Sequence, residues 1–238
     1  MASDAAMTDD LTTRYSAGDY LAATGGTWHL EDAPFKAGQV LRMLERHHLS
    51  VKTICEVGCG AGGILVQLCD RMPGGREARF TGYEISPQAH EISRQFTREN
   101  LRFILGDAFE DGEMADLVLV MDVIEHVEDC FGFLRKVKQK GEYKLYHIPL
   151  DISCSAALRD SFLRAWKSVG HIHVFTKNLA LETLRATGHE IIDHFYTAGA
   201  LNIGRGWRAF LGNLPRHVLP QGLAARLVGG YSLMVLTK

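Results

Sequence analysis

Apolar and polar residues follow two rhythms along this chain, and they change places repeatedly. Pro34 to His48 carries Val40, Leu41 and Leu44 as a stripe ending near Leu49, with proline suited to a first turn, which predicts a helix. Thr53 to Val57 then reads as a short buried strand. Ile64, Leu65, Leu68 and Cys69 return to helical spacing. Further strands are expected at Arg79 to Ile85, Leu101 to Leu105, Ala115 to Met121 and Tyr143 to Pro149. The Ala115 run is apolar almost throughout, as in a strand covered on both faces. Between them, Ser86-Pro87 reads as a cap and first position of a helix, and Asp129 to Lys140 as another. The last third predicts a helix from Thr176 to Thr187, stopped by Gly188, then strands at Glu190 to Tyr196 and Tyr231 to Thr237.

Strands alternating with helices give an α/β fold, a parallel sheet with helices on both faces and right-handed crossovers. We expect residues 1–33 to form an N-terminal tail and cap, and 34–238 one domain with lid insertions near 151–170 and 201–230. The length suffices for one domain with its own core. The first insertion sets Leu158, Phe162, Leu163 and Trp166 at helical spacing. The second holds Arg205, Arg208, Arg216 and Arg226 with Trp207 and no acid. That stretch suits an anionic substrate or peripheral contact with an anionic membrane. Tyr15, Tyr20, Trp28 and His29 offer a third wall.

Composition narrows the partners. A net charge of -2 gives no general attraction for nucleic acid, so no nucleic-acid partner is expected. No apolar run approaches the ~18 residues that span a bilayer. The five cysteines form no CxxC pair, which fits a reducing cytoplasm.

The chemistry concentrates after the first strand. Glu56-Val57-Gly58-Cys59-Gly60-Ala61-Gly62 places a glycine loop between a buried strand and a helix, where a nucleoside can lie against bare backbone. Glu84 ends the second strand, Asp107 the third, and Asp122-Val123-Ile124-Glu125-His126-Val127 the fourth. Gly170-His171-Ile172-His173-Val174-Phe175-Thr176 follows later. Together these motifs, over roughly residues 50–195, resemble the class I S-adenosylmethionine (SAM)-dependent methyltransferases, small-molecule branch, including the quinone-biosynthesis type. The resemblance implies a Rossmann-like, seven-stranded, mostly parallel sheet with an antiparallel C-terminal strand, and SAM as cofactor.

It also implies residue roles. Glu56 would help hold the methionine ammonium, and Gly58, Cys59 and Gly60 would let the backbone meet the ligand. Glu84 would take the ribose hydroxyls, Ile85 would pack on adenine, and Asp107 with the Ala108 amide would meet its edge. Asp122 would face the methionine end. For a small-molecule acceptor, most naturally an oxygen, His126, His147 and His171 are the candidate proton-handling residues, because histidine titrates near neutral pH. His173 is better read as capping the Thr176 helix or bonding a neighbouring carbonyl. Asp122-x-x-Glu125-His126 with His171 also resembles the acid-x-x-Glu-His arrangement that binds a divalent metal in some quinone and small-RNA O-methyltransferases. Those families usually begin with Glu, so we expect no metal. Two other functions compete: a non-catalytic SAM-binding module, and an NAD(P)-dependent oxidoreductase. The glycine spacing and Glu56 argue against the second.

Overall fold

The computed structural model describes residue 28, residues 30–198 and residues 218–238. Seven strands form one sheet: β1 (Thr53–Val57), β2 (Arg79–Glu84), β3 (Leu101–Leu105), β4 (Ala115–Met121), β5 (Gly141–Pro149), β6 (Ile191–Thr197) and β7 (Ser232–Thr237). Their order is β3-β2-β1-β4-β5-β7-β6. Strands β1 to β5 pair in parallel, and β7 runs antiparallel between β5 and β6. The expected mostly parallel, Rossmann-like sheet is therefore present.

The helices flanking it are α1 (Ala33–Arg46), α2 (Gly63–Arg71), α3 (Pro87–Ser93), α4 (Cys130–Lys140), α5 (Cys154–Leu158), α6 (Ser161–Val169), α7 (Lys177–Ala186) and α8 (Gln221–Val228). The period-two pattern of β4 divides the core between the two faces. Leu117, Leu119 and Met121 pack in the layer that holds Val40 and Met43 of α1 and Leu65 and Leu68 of α2. Val118 and Val120 pack in the opposite layer with Leu134 of α4, Leu181 and Leu184 of α7, and Ala224 of α8. Leu117 to Met121 is thus covered on both sides, hence its continuous apolar run, while Asp116 at the strand's start accepts from the Lys52 and Thr53 amides.

Thr176 caps α7 by accepting from the Leu179 amide at 3.2 Å, and Asp129 caps α4 by accepting from the Gly132 amide at 2.8 Å. The side-chain cap expected at Ser86 does not form. Its hydroxyl donates to Gln88 Oε1 and its amide to Glu84 Oε1.

Strand order reverses at β1, which pairs with β2 on one side and β4 on the other. At such a switch point the loops after adjacent strands diverge and leave a crevice at the carboxyl edge. Tyr15, Tyr20, His29, Arg205, Trp207, Arg208 and Arg216 lie outside the described residues, as do most of the expected tail and second insertion. The first insertion is helical, as α5 and α6, and Leu158, Leu163 and Trp166 are exposed there. Among the described residues no helix is long and apolar enough to cross a membrane.

Candidate active site

The switch point opens into a cleft of about 640 Å³. Its walls come from the β1–α2 loop, the tip of β2, the β4–α4 turn, α1, Trp28, and the segment ending α6. Glu56, Gly58, Cys59, Gly60, Glu84, Ile85, Asp122, His126, His147 and His171 all line it.

The glycine loop is built on positive φ angles, +70° at Gly58, +55° at Gly60 and +79° at Gly62, which side chains rarely tolerate. The three glycines serve different ends. A Cβ on Gly58 would stand 2.9 Å from Val123 Cγ2, so this glycine admits the β4–α4 turn. A Cβ on Gly62 would stand 2.5 Å from the Phe103 ring, so this one packs α2 onto the sheet. Only Gly60 faces open space, with Trp28 4.0 Å away. The Gly58 and Cys59 amides both donate to the Tyr83 carbonyl.

Glu84 is buried and accepts from the Gly60 and Ser86 amides, each at 2.8 Å. Burial raises its pKa, and those amides oppose the rise. Each carboxylate oxygen keeps a further lone pair for a ligand hydroxyl. Glu56 is only 1% exposed, and its Oε2 has no hydrogen-bond partner. Burial pushes its pKa up to about 8, with Lys36 pulling against the rise and Glu84 adding to it. Among the described residues no cation is in direct contact with this carboxylate, Lys36 acting on it only from a distance. Ile85 is 55% exposed at the end of β2, an apolar surface a flat ring would cover. Asp107 and Ala108 do not line the cleft. Asp107 accepts from the Phe109 amide in a local turn, and Ala108 is buried in the second core layer.

On the other wall, Asp122 adopts φ +58°. Its Oδ1 meets His147 Nδ1 at 2.6 Å and its Oδ2 meets Lys36 Nζ at 2.7 Å. Burial alone would raise its pKa, but His147 and Lys36 outweigh that and hold it well below the carboxylate range. His147 also meets Thr197 Oγ1 through Nε2 at 2.8 Å. Both its nitrogens are thus engaged, so His147 holds Asp122 rather than reaching an acceptor.

His171 Nδ1 donates to Asp151 Oδ2 at 2.8 Å, and His126 Nδ1 donates to the Gly170 carbonyl at 3.1 Å. Each bond makes Nε2 the lone-pair nitrogen of its ring. The two rings lie edge to face, 4.9 Å between centroids. Burial, then the neighbouring His171, lowers the His126 pKa to about 4, so this ring is neutral. Beside them Glu125 is fully buried, and neither carboxylate oxygen has a hydrogen-bond partner. Its own carbonyl accepts from the Ile172 and His173 amides, which ties the β4–α4 turn to the His171 segment. His173 Nε2 donates to the Val127 carbonyl, the second of the two roles the sequence leaves open, while the Thr176 side chain itself caps the helix.

Lys36, Asp151 and Thr197 were not among the sequence candidates. Lys36 occupies a polar position of a helix stripe and Thr197 ends a late strand, and neither carries a local signal. Asp151 could have been found, because it follows β5 at the same carboxyl edge as His171.

The chain matches the family model described as methyltransferase domain over residues 29–194. It is 28% identical over 153 residues to malonyl-[acyl-carrier protein] O-methyltransferase of Acetivibrio thermocellus, covering 63% of this chain and 47% of that one. It is 32% identical over 114 residues to the mitochondrial ubiquinone biosynthesis O-methyltransferase of Schizosaccharomyces pombe, covering 42% and 39%. The chain thus spans less than half the length of these curated relatives. Magnesium protoporphyrin IX methyltransferase from Synechocystis PCC 6803, solved with bound SAH, shares the fold at TM-score 0.62 and 14% identity, over 93% of this chain and 97% of that one.

Proposed function

Because the chain belongs to the methyltransferase-domain family, we propose that it binds SAM at the switch-point cleft and transfers the methyl group to oxygen of a small-molecule acceptor. The carrying observation is the pair of buried acids flanking Gly60. Glu84 is pinned by two backbone amides, and Glu56 keeps a buried oxygen without a partner. One fits a ribose diol, and the other an ammonium group. Gly60 supplies the bare backbone between them, and Ile85 an apolar platform for the adenine. Asp107 and Ala108 stand beyond the tip of β3, outside the cleft lining, so a contact of theirs with the adenine edge has no support from the cleft itself.

The sulfonium already makes the methyl carbon electrophilic, so the protein's work is to place and desolvate the acceptor. An acceptor hydroxyl must shed its proton as its oxygen attacks the methyl carbon and the C–S electron pair returns to sulfur. Glu125, His126 and His171 gather at the acceptor end, with Asp151 fixing the His171 ring. Asp122, clamped by Lys36 and His147, lies between these groups and the methionine end. Two curated O-methyltransferases among the relatives support oxygen as the methyl acceptor, beside one relative that is an N-methyltransferase.

Calorimetry with SAM and with NAD tests the cofactor. SAM binding is expected, and NAD binding without it overturns the reading. Incubation with labelled SAM and a metabolite pool, scored by mass shift, then tests turnover. SAM binding with no labelled product would favour a non-catalytic binding module.

A further inference from the structure

Beyond the cleft the structure holds a second cavity, of about 460 Å³, and no described residue lines both. We propose that this cavity binds a small organic anion, a carboxylate or phosphate monoester carried on an apolar body. The proposal does not rest on the methyltransferase reading.

The two cavities are separated by one strip of chain after β5. Pro149 lines the cleft, Leu150 the second cavity, Asp151 meets His171 of the cleft, and Ile152 returns to the second cavity. Side chains alternate here as they do along a strand. Backbone bonds hold the strip, from the Leu150 amide to the Tyr231 carbonyl at 2.9 Å and from the Ile152 amide to the Phe175 carbonyl at 3.2 Å. The wall between the cavities is therefore fixed by the fold.

The charge of the lining identifies the ligand. Lys177 of α7 and Arg226 of α8 both line the cavity, and among the described residues no acid does. Neither side chain has a salt bridge or hydrogen bond among those residues. Exposed arginines elsewhere are matched: Arg94 with Glu91, Arg98 with Asp70 and Arg185 with Glu182. Lys177 Nζ lies 5.6 Å from the centroid of the Tyr196 ring, whose hydroxyl also feels the positive charge of Arg226. Two cations thus converge on one tyrosine. A bound anion replaces their mutual repulsion with charge-assisted hydrogen bonds, and the Tyr196 hydroxyl is a further donor. The first turn of α7 also lines the cavity, and its helix dipole adds to the positive potential.

The rest of the lining sets the body of the ligand. Leu150, Ile152 and Ala225 give the cavity an apolar floor, with Leu150 and Ala225 buried. Such a floor favours a ring or short chain over an inorganic ion, because carbon covers it and water leaves. The volume lies within the range that small-molecule ligands occupy.

Fluorescence titration of the full chain with anilinonaphthalene sulfonate, an anion on an apolar body, tests the site. We expect one saturable equivalent, about tenfold weaker in a double variant carrying Lys177→Gln and Arg226→Gln, as for lost charge-assisted hydrogen bonds. Ala157→Trp, which places an indole in the cavity, should abolish it. The uncharged phenylnaphthylamine should bind the double variant as it binds the wild type. Sulfonate binding unchanged in these variants lies elsewhere on the chain and overturns the proposal. Equal losses for charged and uncharged probes would mean that the substitutions act on packing alone, and overturn it too. Naphthoate and naphthyl phosphate then compete for the bound sulfonate. The tighter competitor identifies the head group, and displacement by neither overturns the proposal. Should Ala157→Trp fail to fold by circular dichroism, the double variant decides, since it changes two side chains outside the core.

Discussion

The two walls of the cleft hold their polar groups in opposite ways. On the β1–β2 wall, Glu84 is fixed by backbone amides from Gly60 and Ser86, and the loop amides by the Tyr83 carbonyl. On the β4–β5 wall, Asp122, His147, His171 and Lys36 are fixed chiefly by side chains from distant parts of the sequence. A backbone-held wall depends on glycines and strand tips, and it presents the same cradle whatever its other side chains are. A side-chain-held wall can change with single substitutions. The first suits an invariant ligand such as SAM, and the second an acceptor that differs between enzymes.

The largest expected effect attacks the first wall. Gly62→Ala puts a Cβ 2.5 Å from the Phe103 ring at φ +79°. We expect a loss of about 3 kcal/mol of stability by urea denaturation, from overpacking and left-handed strain together. A loss below about 1 kcal/mol would mean that the backbone wall is soft. On the second wall, His171→Ala should lower kcat by about a hundredfold or more while SAM affinity holds. Parallel losses of both would erase the division between the walls.

Glu84→Ala should cost about 1.5–3 kcal/mol of SAM affinity by calorimetry, as for a charged hydrogen-bonding group. An unchanged dissociation constant in a folded variant would remove Glu84 from the ribose. Asp107→Ala should cost less, about 1 kcal/mol or below, since its side chain already serves the Phe109 amide. A larger loss than at Glu84 would move the centre of adenine recognition to β3.

Glu56 adds a pH signature to the first wall. Its folded pKa is raised from 4.5 to about 8, so the ligand-free folded state binds the proton more tightly than the unfolded chain does. Its contribution to stability is therefore greatest below about pH 4.5 and declines as pH rises toward 8. SAM affinity should move the other way, because only the ionised carboxylate pairs with an ammonium. Glu56→Gln should flatten both profiles between about pH 6 and 8. A wild-type SAM affinity independent of pH there would mean that Glu56 is already ionised or faces no ammonium.

The same contrast explains how far the sequence could be read. The strands announce themselves locally. Leu117 to Met121 is buried on both faces, and the glycine loop fixes where β1 ends. Glu56 and Glu84 are visible because a parallel strand's tip leads straight to the crevice. β5 begins two residues earlier than expected, at Gly141, because its first pairing partner, Ala115, sets the start rather than its own apolar content. The second wall resists such reading. His147 looks like a cleft base until Thr197, from the far side of β7, takes its remaining nitrogen. Lys36 looks like a surface lysine until the fold brings it against Asp122. Long-range side-chain pairs have no periodicity to betray them.

Asp122 has a consequence for which side chains this chain can accept at the end of β4. Its backbone sits in the left-handed region, which glycine, asparagine and aspartate enter most readily and β-branched residues scarcely at all. Its side chain must also answer a lysine on one oxygen and a histidine on the other. Glycine satisfies the first demand and fails the second, whereas glutamate carries the charge on a longer arm and a less suitable backbone. In this chain, with Lys36 and His147 as its partners, position 122 thus favours aspartate, set half by torsion and half by charge.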